Sequence, residues 1–301
     1  MTDLSEIKDM ALSLGCEVRE NEPMAEHTSF GAGGSVSLFI EAEKGSLLPL
    51  YRALKQRDLP FMTLGKGTNV LFKDGLHELI VLSTVKKLSY ISVNKCEITA
   101  GCGASLMSVC RLARDNSLAG LEFAYGIPAS VGGAVYMNAG AYGGEMSQVL
   151  KCVTAIDEDG EERVYDLSQL DLSYRHSRFS HRNALITEAV FSLREGNRED
   201  ITALMNELMG RRKDKQPLEY KSAGSTFKRP PGAFAGALIE QCGLKGYSAG
   251  DAMVSTKHAG FVVNTGKASA SDILSVIDHV RADVLEKTGY DLECEVEIIG
   301  E

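Results

Sequence analysis

The sequence predicts an α+β protein, with helices and strands interspersed along the chain. Short segments rich in Val, Ile and Leu alternate with amphipathic segments of helical period. Two glycine-rich stretches, residues 65–70 and 122–144, interrupt this alternation. The chain closes with a helical pattern followed by a segment of alternating polarity, residues 292–299. This mixture is typical of α+β or mixed α/β proteins.

The first half of the chain begins with a predicted short helix and a connector within residues 1–22. Ser46 suits a helix N-cap, because its hydroxyl can accept a free backbone N–H, and the apolar spacing after it predicts a helix to about Arg57. Strands are predicted at residues 59–64, 78–82, 88–93 and 96–100. Residues 104–116 predict a helix with an apolar face of Leu106, Val109, Cys110 and Ala113.

The second half contains predicted strands at residues 152–156 and 184–193. A helix is predicted from about Asn197, and it ends in Arg211, Arg212 and Lys213, cations that suit a helix C-terminus. For Arg211 and Arg212 we expect a solvated helix end. A domain boundary is predicted at residues 194–199. A further helix at residues 271–287 stops at Gly289, and the strand 292–299 follows. In that strand Leu292, Cys294, Val296 and Ile298 are predicted to face one way and Glu293, Glu295 and Glu297 the other.

Composition excludes several classes of protein. The 301 residues are 44% hydrophobic and 24% charged, which is ordinary globular usage. The net charge is −9, so we expect no nucleic-acid partner, since such binding depends on neutralising phosphates. The polar, acidic N-terminus and the lack of any apolar run of 18 residues predict no signal peptide and no membrane insertion. The seven cysteines are scattered without CxxC spacing, which predicts no metal site and reduced thiols in the cytoplasm.

The glycine-rich segments do not match the common nucleotide motifs. Residues 65–70 follow a strand but carry Val70 where the GxGxxG dinucleotide motif needs its third glycine. Residues 260–267 end in Gly-Lys, but the glycine spacing and Ala268 do not fit a P-loop. Glycine does allow a backbone to approach a ligand and present N–H groups to an anion. The stretches 65–70 and 122–144 are therefore either structural turns or a joint cradle for a pyrophosphate and a flat ring.

Four motifs, taken together, resemble one family. They are LGKGTNVLF at residues 64–72, GIPASVGGAVYMNAGAYG at 126–143, SYRHSRF at 173–179, and KQP with SAGSTFKRP between 215 and 230. The closing LECEVEIIG, residues 292–300, points the same way. From about His27 onward the chain resembles the UDP-N-acetylenolpyruvoylglucosamine reductase (UDP-N-acetylmuramate dehydrogenase) family. The short interval between Arg175 and Ser225 is similar to its shorter subtype, which lacks a tyrosine-bearing loop.

The resemblance implies an architecture and a reaction. It implies an N-terminal helix and connector (1–26), an FAD-binding domain of the vanillyl-alcohol-oxidase (PCMH) type (27–195, subdomains about 27–85 and 86–195), and a smaller α+β substrate-binding domain (196–301). NADPH would reduce noncovalently bound FAD. The reduced flavin would then pass hydride to UDP-N-acetylglucosamine enolpyruvate, giving UDP-N-acetylmuramate for peptidoglycan. Because a flavin supplies the hydride, no metal is implied.

The same resemblance assigns roles to individual residues. Ser225 would donate a proton to carbon, Arg175 would bind the substrate carboxylate, and Glu295 would polarise the developing enolate or relay a proton. Cofactor contacts would come from Gly65, Lys66, Gly67, Thr68, Asn69, Val70, Tyr125, Gly126, Ile127, Pro128, Ser130, Val131, Gly132, Gly133, Ala134, Asn138, Ala139 and Gly140. Substrate contacts would come from Lys215, Lys228 and Tyr174.

Some positions depart from the family pattern, and two other functions stay open. The family often has proline at Cys294 and arginine at Glu297, and some members have asparagine at Arg229. One alternative is a related flavoprotein oxidase with covalently tethered FAD. His27 precedes the first glycine loop, but we expect it to be a surface or turn histidine. The other alternative is a binding protein for nucleotide sugars without catalytic activity.

Overall fold

A computed structural model describes residues 2–300. These residues form two compact units, each built from several stretches of the chain. Unit 1 comprises residues 2–20, 37–66 and 78–211, and unit 2 comprises residues 21–36, 67–77 and 212–300. The α-helices of the described residues are α1 (Thr2–Ser13), α2 (Lys44–Gln56), α3 (Leu106–Asp115), α4 (Val131–Tyr136), α5 (Arg198–Lys215), α6 (Ala235–Gln241) and α7 (Ala270–Thr288).

The strands of the described residues are short, and many have only two or three residues. They are β1 (Glu17–Pro23), β2 (Ser35–Glu41), β3 (Phe61–Leu64), β4 (Val70–Phe72), β5 (Leu76–Ser83), β6 (Ile91–Asn94), β7 (Glu97–Gly101), β8 (Leu118–Ala119), β9 (Gly140–Ala141), β10 (Gly144–Glu145), β11 (Leu150–Ile156), β12 (Glu162–Asp166), β13 (Leu185–Ser192), β14 (Arg194–Glu195), β15 (Ser248–Ala249), β16 (Ala252–Val254), β17 (Val262–Asn264) and β18 (Glu297–Ile299).

The core of unit 1 is built around two sheets. One has the strand order β1-β2-β5-β3, with β3 and β5 parallel, and the other is antiparallel with the order β12-β11-β13-β7-β6. Helix α2 buries the apolar face that its sequence predicts, namely Leu47, Leu50, Tyr51 and Leu54. Each fully buried leucine of this kind contributes about 1.5–3 kcal/mol. Helix α3 buries Leu106, Val109, Cys110 and Ala113 in the same core.

The core of unit 2 is organised by α7. Its buried stripe, Ile273, Ile277, Val280 and Val284, belongs to one apolar cluster with residues of α6, β16 and β17. The helix begins at Ser269, whose Oγ accepts the N–H of Asp272 at 3.0 Å, and it ends at Gly289 with φ of +76°. In the same unit, β18 pairs in parallel with β4. This pairing brings the C-terminal motif beside the strand that follows the first glycine loop.

Most long elements lie where the sequence predicts them. Four predicted helices match α2, α3, α5 and α7, respectively: 46–57, 104–116, 197–213 and 271–287. Five predicted strands match β3, β5, β7, β11 and β13, respectively: 59–64, 78–82, 96–100, 152–156 and 184–193. The role predicted for Ser46 is wrong, because α2 starts at Lys44. Ser46 lies at the third helical position, and its Oγ accepts the N–H of Glu43 at 2.9 Å.

Several elements were not predicted. The connector within residues 1–22 is in part the strand β1, and a short helix, α4, lies inside the second glycine-rich stretch. Its sequence VGGAVY contains two glycines, which disfavour a helix. Local helix propensity therefore did not predict α4. The predicted strand 292–299 is regular only at β18, and its alternation fails at Ile298, which is 38% exposed.

The compact units also divide the chain differently from the predicted domains. The predicted domains, 1–26, 27–195 and 196–301, are continuous stretches, whereas the units interleave. Residues 21–36 and 67–77 belong to the same unit as the C-terminal part of the chain. The functional division into FAD-binding and substrate-binding domains stays a prediction. None of the helices in residues 2–300 is long and apolar enough to cross a membrane.

Candidate active site

The two glycine-rich stretches meet in unit 1 at Gly65 and Ser130. A Cβ on Gly65 would lie 2.1 Å from Ser130 Oγ, so that a side chain there would have to displace the hydroxyl. Ser130 is the N-cap of α4, and its Oγ accepts the N–H of Gly133 at 3.3 Å. Its backbone also pairs with that of Ser105. Gly65 therefore forms a short strip of partly exposed backbone without a side chain.

Lys66 adds a positive charge beside this strip. Its Nζ donates to Ser105 Oγ at 2.9 Å. Burial, and then the nearby Arg111 cation, lower the pKa of Lys66, so the site disfavours its charged form. An anion bound there would favour the charged form of Lys66. Accessible glycine backbone beside a half-buried ammonium therefore fits the pyrophosphate of FAD.

The predicted cofactor residues of the second stretch fall into a buried and an accessible group. Buried are Ser130, Val131, Ala134 and Asn138; accessible are Tyr125, Gly126, Ile127, Pro128, Gly132, Gly133, Ala139 and Gly140. The N–H groups of Val131 and Gly132 already donate to backbone carbonyls, at 2.9 and 2.8 Å. Val131 and Ala134 pack in the core of unit 1, so their side chains support the stretch from below.

The side chain of Asn138 makes hydrogen bonds to distant residues that the sequence did not indicate. Its side chain is 1% exposed, and its φ is +41°, a conformation that asparagine tolerates better than most residues. Its Nδ2 donates to the carbonyl of Ser173 at 3.0 Å, and its Oδ1 accepts the N–H of Ser147 at 2.9 Å. Asn138 therefore ties the second glycine-rich stretch to the start of the SYRH motif.

Arg175 lies in the tight turn that this tie holds. Ser173 and His176 exchange two backbone hydrogen bonds of 3.1 Å, and Tyr174 and Arg175 form the tip between them. Arg175 has a φ of +55°, which is strained for a residue with a long side chain. Its guanidinium carbon lies 5.1 Å from the ring centre of Tyr174. Ser177, which is fully buried, anchors the other side of the turn by donating to the carbonyl of Tyr136 at 2.8 Å.

Ser225 and Glu295, although far apart in sequence, come together in unit 2. The N–H of Glu295 donates to the carbonyl of Thr226 at 2.8 Å, and the N–H of Lys228 donates to that of Glu293 at 2.9 Å. Phe227 pairs with Cys294 between them. We call this pairing of residues 226–228 with 293–295 the catalytic ladder. It fixes the backbone directly after Ser225 and up to Glu295.

The catalytic ladder is reinforced from two sides. Thr226 is fully buried, its N–H donates to Gly260 O at 2.9 Å, and its Oγ1 accepts the N–H of Val262 at 3.0 Å. On the other side, Asn69 Nδ2 donates to the carbonyl of Glu295 at 3.0 Å. The Cys294 thiol, whose pKa burial raises, contacts the carbonyls of Thr226 and Val296.

The remaining residues of the first glycine loop lie in unit 2. A Cβ on Gly67 would lie 2.0 Å from the carbonyl oxygen of His27, and φ at Gly67 is +59°, so the turn requires glycine. Thr68 is half-buried, and Val70 is the first residue of β4. His27 itself is a half-buried turn residue whose ring contacts the Glu22 carboxylate at 2.7 Å.

The predicted basic residues have different surroundings. Lys215 is exposed at the end of α5, whereas Lys228 is paired with Glu293. Arg211 is exposed and pairs with Glu207, as expected of a solvated helix end. The expectation for Arg212 is wrong, because its side chain is only 6% exposed. The helical period places Arg212 on the face of α5 that carries Met205 and Leu208. Because that face is buried, the Arg212 side chain is buried although it is charged.

His258 is a further candidate that sequence reasoning missed. Gly260, whose carbonyl accepts the Thr226 N–H, donates its own N–H to His258 Nδ1 at 3.1 Å. Burial lowers the pKa of His258, which favours the neutral ring. The surrounding HAG sequence has no metal or catalytic spacing, so only the fold reveals this position. Within residues 2–300, no group of His, Cys, Asp or Glu side chains is arranged to hold a metal ion.

Comparison with known proteins places these features in one family. Residues 42–165 match an FAD binding domain, and residues 216–299 match the C-terminal domain of UDP-N-acetylenolpyruvoylglucosamine reductase. UDP-N-acetylenolpyruvoylglucosamine reductases of Lachnoclostridium phytofermentans and Clostridium novyi are each 46% identical, over 93% and 95% of this chain and 92% and 93% of theirs. The crystal structure of the reductase (MurB) from Thermus caldophilus matches with a TM-score of 0.80 and 34% identity, covering 95% of this chain and 99% of that one.

These matches confirm three predictions: the α+β fold with an FAD-binding domain, the oxidoreductase class, and FAD as cofactor. The chain belongs to the UDP-N-acetylenolpyruvoylglucosamine reductase family.

Proposed function

We propose that this protein uses NADPH to reduce UDP-N-acetylglucosamine enolpyruvate to UDP-N-acetylmuramate, a peptidoglycan precursor, with Arg175, Ser225 and Glu295 as catalytic residues. The observation that carries the proposal is the catalytic ladder, which brings Ser225 and Glu295 of two separate motifs together. The family membership supplies the substrate class. We also propose that the protein is located in the cytoplasm. All seven cysteines lie in the described residues and are free thiols, which suits a reducing compartment.

The chemistry adds one hydride and one proton across the carbon–carbon double bond of an enol ether. Bound FAD supplies the hydride, which it accepts from NADPH. Hydride addition to the methylene carbon places negative charge on the adjacent carbon and on its carboxylate. A cation must therefore bind that carboxylate, and an acid must protonate the carbon. The net change is NADPH, a proton and the enolpyruvyl ether giving NADP⁺ and the lactyl ether.

Each catalytic role follows from side-chain chemistry. The Arg175 guanidinium stays charged and can bind a carboxylate with two parallel hydrogen bonds. Ser225 Oγ gives its proton to the carbon and regains one from solvent. Glu295 lies across the catalytic ladder from the Ser225 loop and would orient or relay that proton. Tyr174 beside Arg175, together with Lys215 and Lys228, would contact the substrate, and the two cations would offset its diphosphate charge.

The residues proposed to hold FAD include both glycine stretches. We infer that the pyrophosphate lies along the first glycine loop, because Gly65, Lys66, Thr68 and Asn69 are partly exposed and the charge that shifts the pKa of Lys66 is that of a cation, Arg111. Gly67 is buried and would shape the turn. The accessible residues of the second stretch would contact the flavin. This assignment predicts that a side chain at Gly65, which would have to displace the Ser130 hydroxyl, weakens FAD binding.

Gly65→Ala tests the FAD assignment. Its Cβ would collide with Ser130 Oγ, so we expect FAD to bind at least about tenfold more weakly, a loss of about 1.4 kcal/mol. Gly45→Ala is the matched control, because no atom lies within 4 Å of a Cβ at that helical position. Fluorescence titration of the apoprotein with FAD measures both. Equal FAD affinities in the two variants would remove the first loop from the site.

Anaerobic absorption spectroscopy tests the reaction as a whole. The purified holoenzyme should show flavin absorption that NADPH bleaches and UDP-N-acetylglucosamine enolpyruvate restores. Acid precipitation should then leave a colourless pellet, as noncovalent FAD requires. A flavin that NADPH bleaches but the sugar does not reoxidise would retain the fold assignment and reject the substrate.

A further inference from the structure

The segment that carries Glu295, residues 290–296, connects the end of α7 to β18 without forming a regular strand. The exit from this segment is well held. The N–H of Glu297 donates to the carbonyl of Asn69 at 2.9 Å, Asn69 Nδ2 donates to the carbonyl of Glu295 at 3.0 Å, and β18 then pairs with β4. The entry, residues 290–292, has no strand partner within the described part of the chain. Other contacts must therefore hold the entry.

Arg281 of α7 holds this entry. Its Nε donates to the carbonyl of Leu292 at 2.9 Å, and its Nη2 lies 3.4 Å from Asp291 Oδ1. Leu292 is fully buried, and a buried carbonyl requires a donor. Among residues 2–300, the Arg281 guanidinium is the donor that bonds this carbonyl. Because the guanidinium is charged, the hydrogen bond is of the stronger, charge-assisted kind.

The position of Arg281 on α7 suits this contact. Ile277 and Val284, one helical turn before and after it, are both buried, so Arg281 lies at the edge of the buried stripe. Its side chain is 44% exposed. The guanidinium can therefore bond the buried carbonyl while it remains partly in water, which spares most of the cost of burying a charge.

The Arg281 charge also acts on the catalytic ladder. Burial raises the pKa of the Cys294 thiol, and the Arg281 cation is among the groups that oppose this rise, while Glu295 and Asp278 add to it. The guanidinium and the Glu295 carboxylate are therefore both within electrostatic range of the same thiol. Since Cys294 directly precedes Glu295, Arg281 is linked to Glu295 through the backbone and lies near it in space.

We propose that Arg281 is a positioning residue for Glu295: it anchors the segment that enters the catalytic ladder and thereby fixes where the Glu295 carboxylate lies. The inference rests on the proposed function, because it takes Glu295 as a catalytic residue. Arg281 would touch neither the flavin nor the sugar. Its loss should therefore leave the binding of both intact and slow the half-reaction in which Glu295 takes part.

Arg281→Met removes the donors and keeps a long side chain that favours a helix. We expect the limiting rate of flavin reoxidation at saturating enolpyruvyl sugar to fall about fivefold, or about 1 kcal/mol in activation free energy. The sugar concentration that gives half of this rate, and the rate of flavin reduction by NADPH, should not change. Stopped-flow absorbance of the holoenzyme measures all three. Arg281→Lys, which keeps a charged donor without the planar fork, should lose less.

Lys287→Met is the matched control. Lys287 is also a cation of α7 that bonds a main-chain carbonyl, because its Nζ donates to Cys242 O at 3.4 Å and pairs with Asp283 at 2.9 Å. Cys242 lies outside the segment 290–296, so Lys287→Met should leave the reoxidation rate unchanged. If Lys287→Met slows reoxidation as much as Arg281→Met does, general loosening of α7 explains the effect and the inference is overturned.

A double-mutant cycle with Glu295→Gln tests whether Arg281 acts through Glu295. If it does, Arg281→Met should slow the Glu295→Gln protein by less than about twofold, because the carboxylate that Arg281 positions is already gone. If Arg281→Met slows both proteins by the same factor, or slows neither, the inference is overturned. Should Arg281→Met fail to fold or to bind FAD, Arg281→Lys takes its place in the cycle.

The reference proteins of this cycle separate the inference from the proposed function. If the sugar reoxidises the wild-type flavin and Glu295→Gln slows that step, independent effects in the cycle reject the positioning role alone. If Glu295→Gln is reoxidised as fast as the wild type, Glu295 is not catalytic and Arg281 has no catalytic group to position. A wild type that the sugar does not reoxidise rejects the proposed function, and the role of Arg281 with it.

Discussion

The turn that carries Arg175 and the ladder that carries Ser225 and Glu295 position their side chains by different means. Arg175 lies at the tip of a tight turn, in a conformation unfavourable for arginine, and side-chain hydrogen bonds from Asn138 and Ser177 hold the turn. Ser225 and Glu295 flank main-chain hydrogen bonds between two extended segments. The turn therefore depends chiefly on a few side chains, whereas the ladder depends chiefly on main-chain hydrogen bonds, which the side chains of Thr226 and Asn69 reinforce.

This difference teaches where each region is vulnerable. A side-chain substitution can release the turn, because its anchors are side chains and the strain at Arg175 favours release. A backbone ladder tolerates many side chains, since the hydrogen bonds do not involve them. Substitutions that remove the reacting groups themselves should be severe in both regions. Substitutions of supporting residues should be more severe in the turn than in the ladder.

The largest expected effect is that of Ser225→Ala, which removes the proposed proton donor and leaves the catalytic ladder intact. We expect reoxidation of the reduced flavin by the enolpyruvyl sugar to slow by about 10²–10⁴-fold, the usual contribution of a general acid. Flavin reduction by NADPH should be nearly unchanged. Stopped-flow absorbance measures both half-reactions, with Ser222→Ala in the same loop as the control. Equal losses in the two half-reactions would reject Ser225 as the proton donor.

Arg175→Ala should follow, with a loss of about 10²–10³-fold in the same half-reaction, because one electrostatic contact to the developing charge is removed. The protein should stay yellow, since the proposed FAD contacts lie elsewhere. Arg182→Ala, an exposed arginine of unit 1, is the control. An Arg175→Ala protein that no longer binds FAD would place the guanidinium in the cofactor site and reject its role toward the carboxylate.

Supporting residues test the comparison most directly. Asn138→Ala leaves the carbonyl of Ser173 and the N–H of Ser147 without this partner, at about 1–3 kcal/mol each, and adds strain at a positive φ. We expect lower stability in urea and slower flavin reoxidation. Cys294→Ala, in the catalytic ladder, should change the reoxidation rate by less than about threefold, or about 0.65 kcal/mol.

A second substitution separates the two causes at Asn138. Glycine accepts the positive φ without strain, so Asn138→Gly removes only the hydrogen bonds. If Asn138→Gly behaves as the wild type, the bonds to Ser173 and Ser147 do not position Arg175. If Cys294→Ala slows reoxidation as much as Asn138→Ala does, the contrast between a side-chain-held turn and a backbone-held ladder fails.

The same contrast explains what the sequence could reveal. Helix α7 was predictable because its signals are local: an apolar stripe and Gly289 at its end. The identities of Arg175, Ser225 and Glu295 came from motifs that resemble a family. Their supports were not predictable, because Asn138 acts on Ser173 and Thr226 acts on Glu295 across long intervals of chain. The burial of Arg212 was not predictable for the same reason. An arginine is expected to be exposed, and its burial depends on how α5 packs, which the local sequence does not reveal.

The smallest expected effect concerns pH and His258, which supports the catalytic ladder through Gly260. Burial lowers its folded-state pKa below the ordinary value of about 6.5, with Lys245 and Lys215 adding to the shift and Glu240 opposing it. Above the unfolded pKa the group titrates in neither state. As pH falls below about 6.5, His258 takes up a proton more readily in the unfolded chain than in the folded protein. The folded protein therefore loses stability until the pH falls below the folded-state pKa of His258.

His258→Asn should remove this acid sensitivity, because an amide oxygen can accept the Gly260 N–H in place of Nδ1 but does not titrate. We expect the melting temperature of the wild-type holoenzyme to fall more steeply than that of the variant between about pH 7 and pH 5. His181→Asn is the control, since His181 is exposed and its φ of +59° suits asparagine. If the melting temperatures of the wild type and His258→Asn fall equally with pH, the ring has the same pKa in the folded and unfolded protein. The acid sensitivity of the catalytic ladder would then not come from His258.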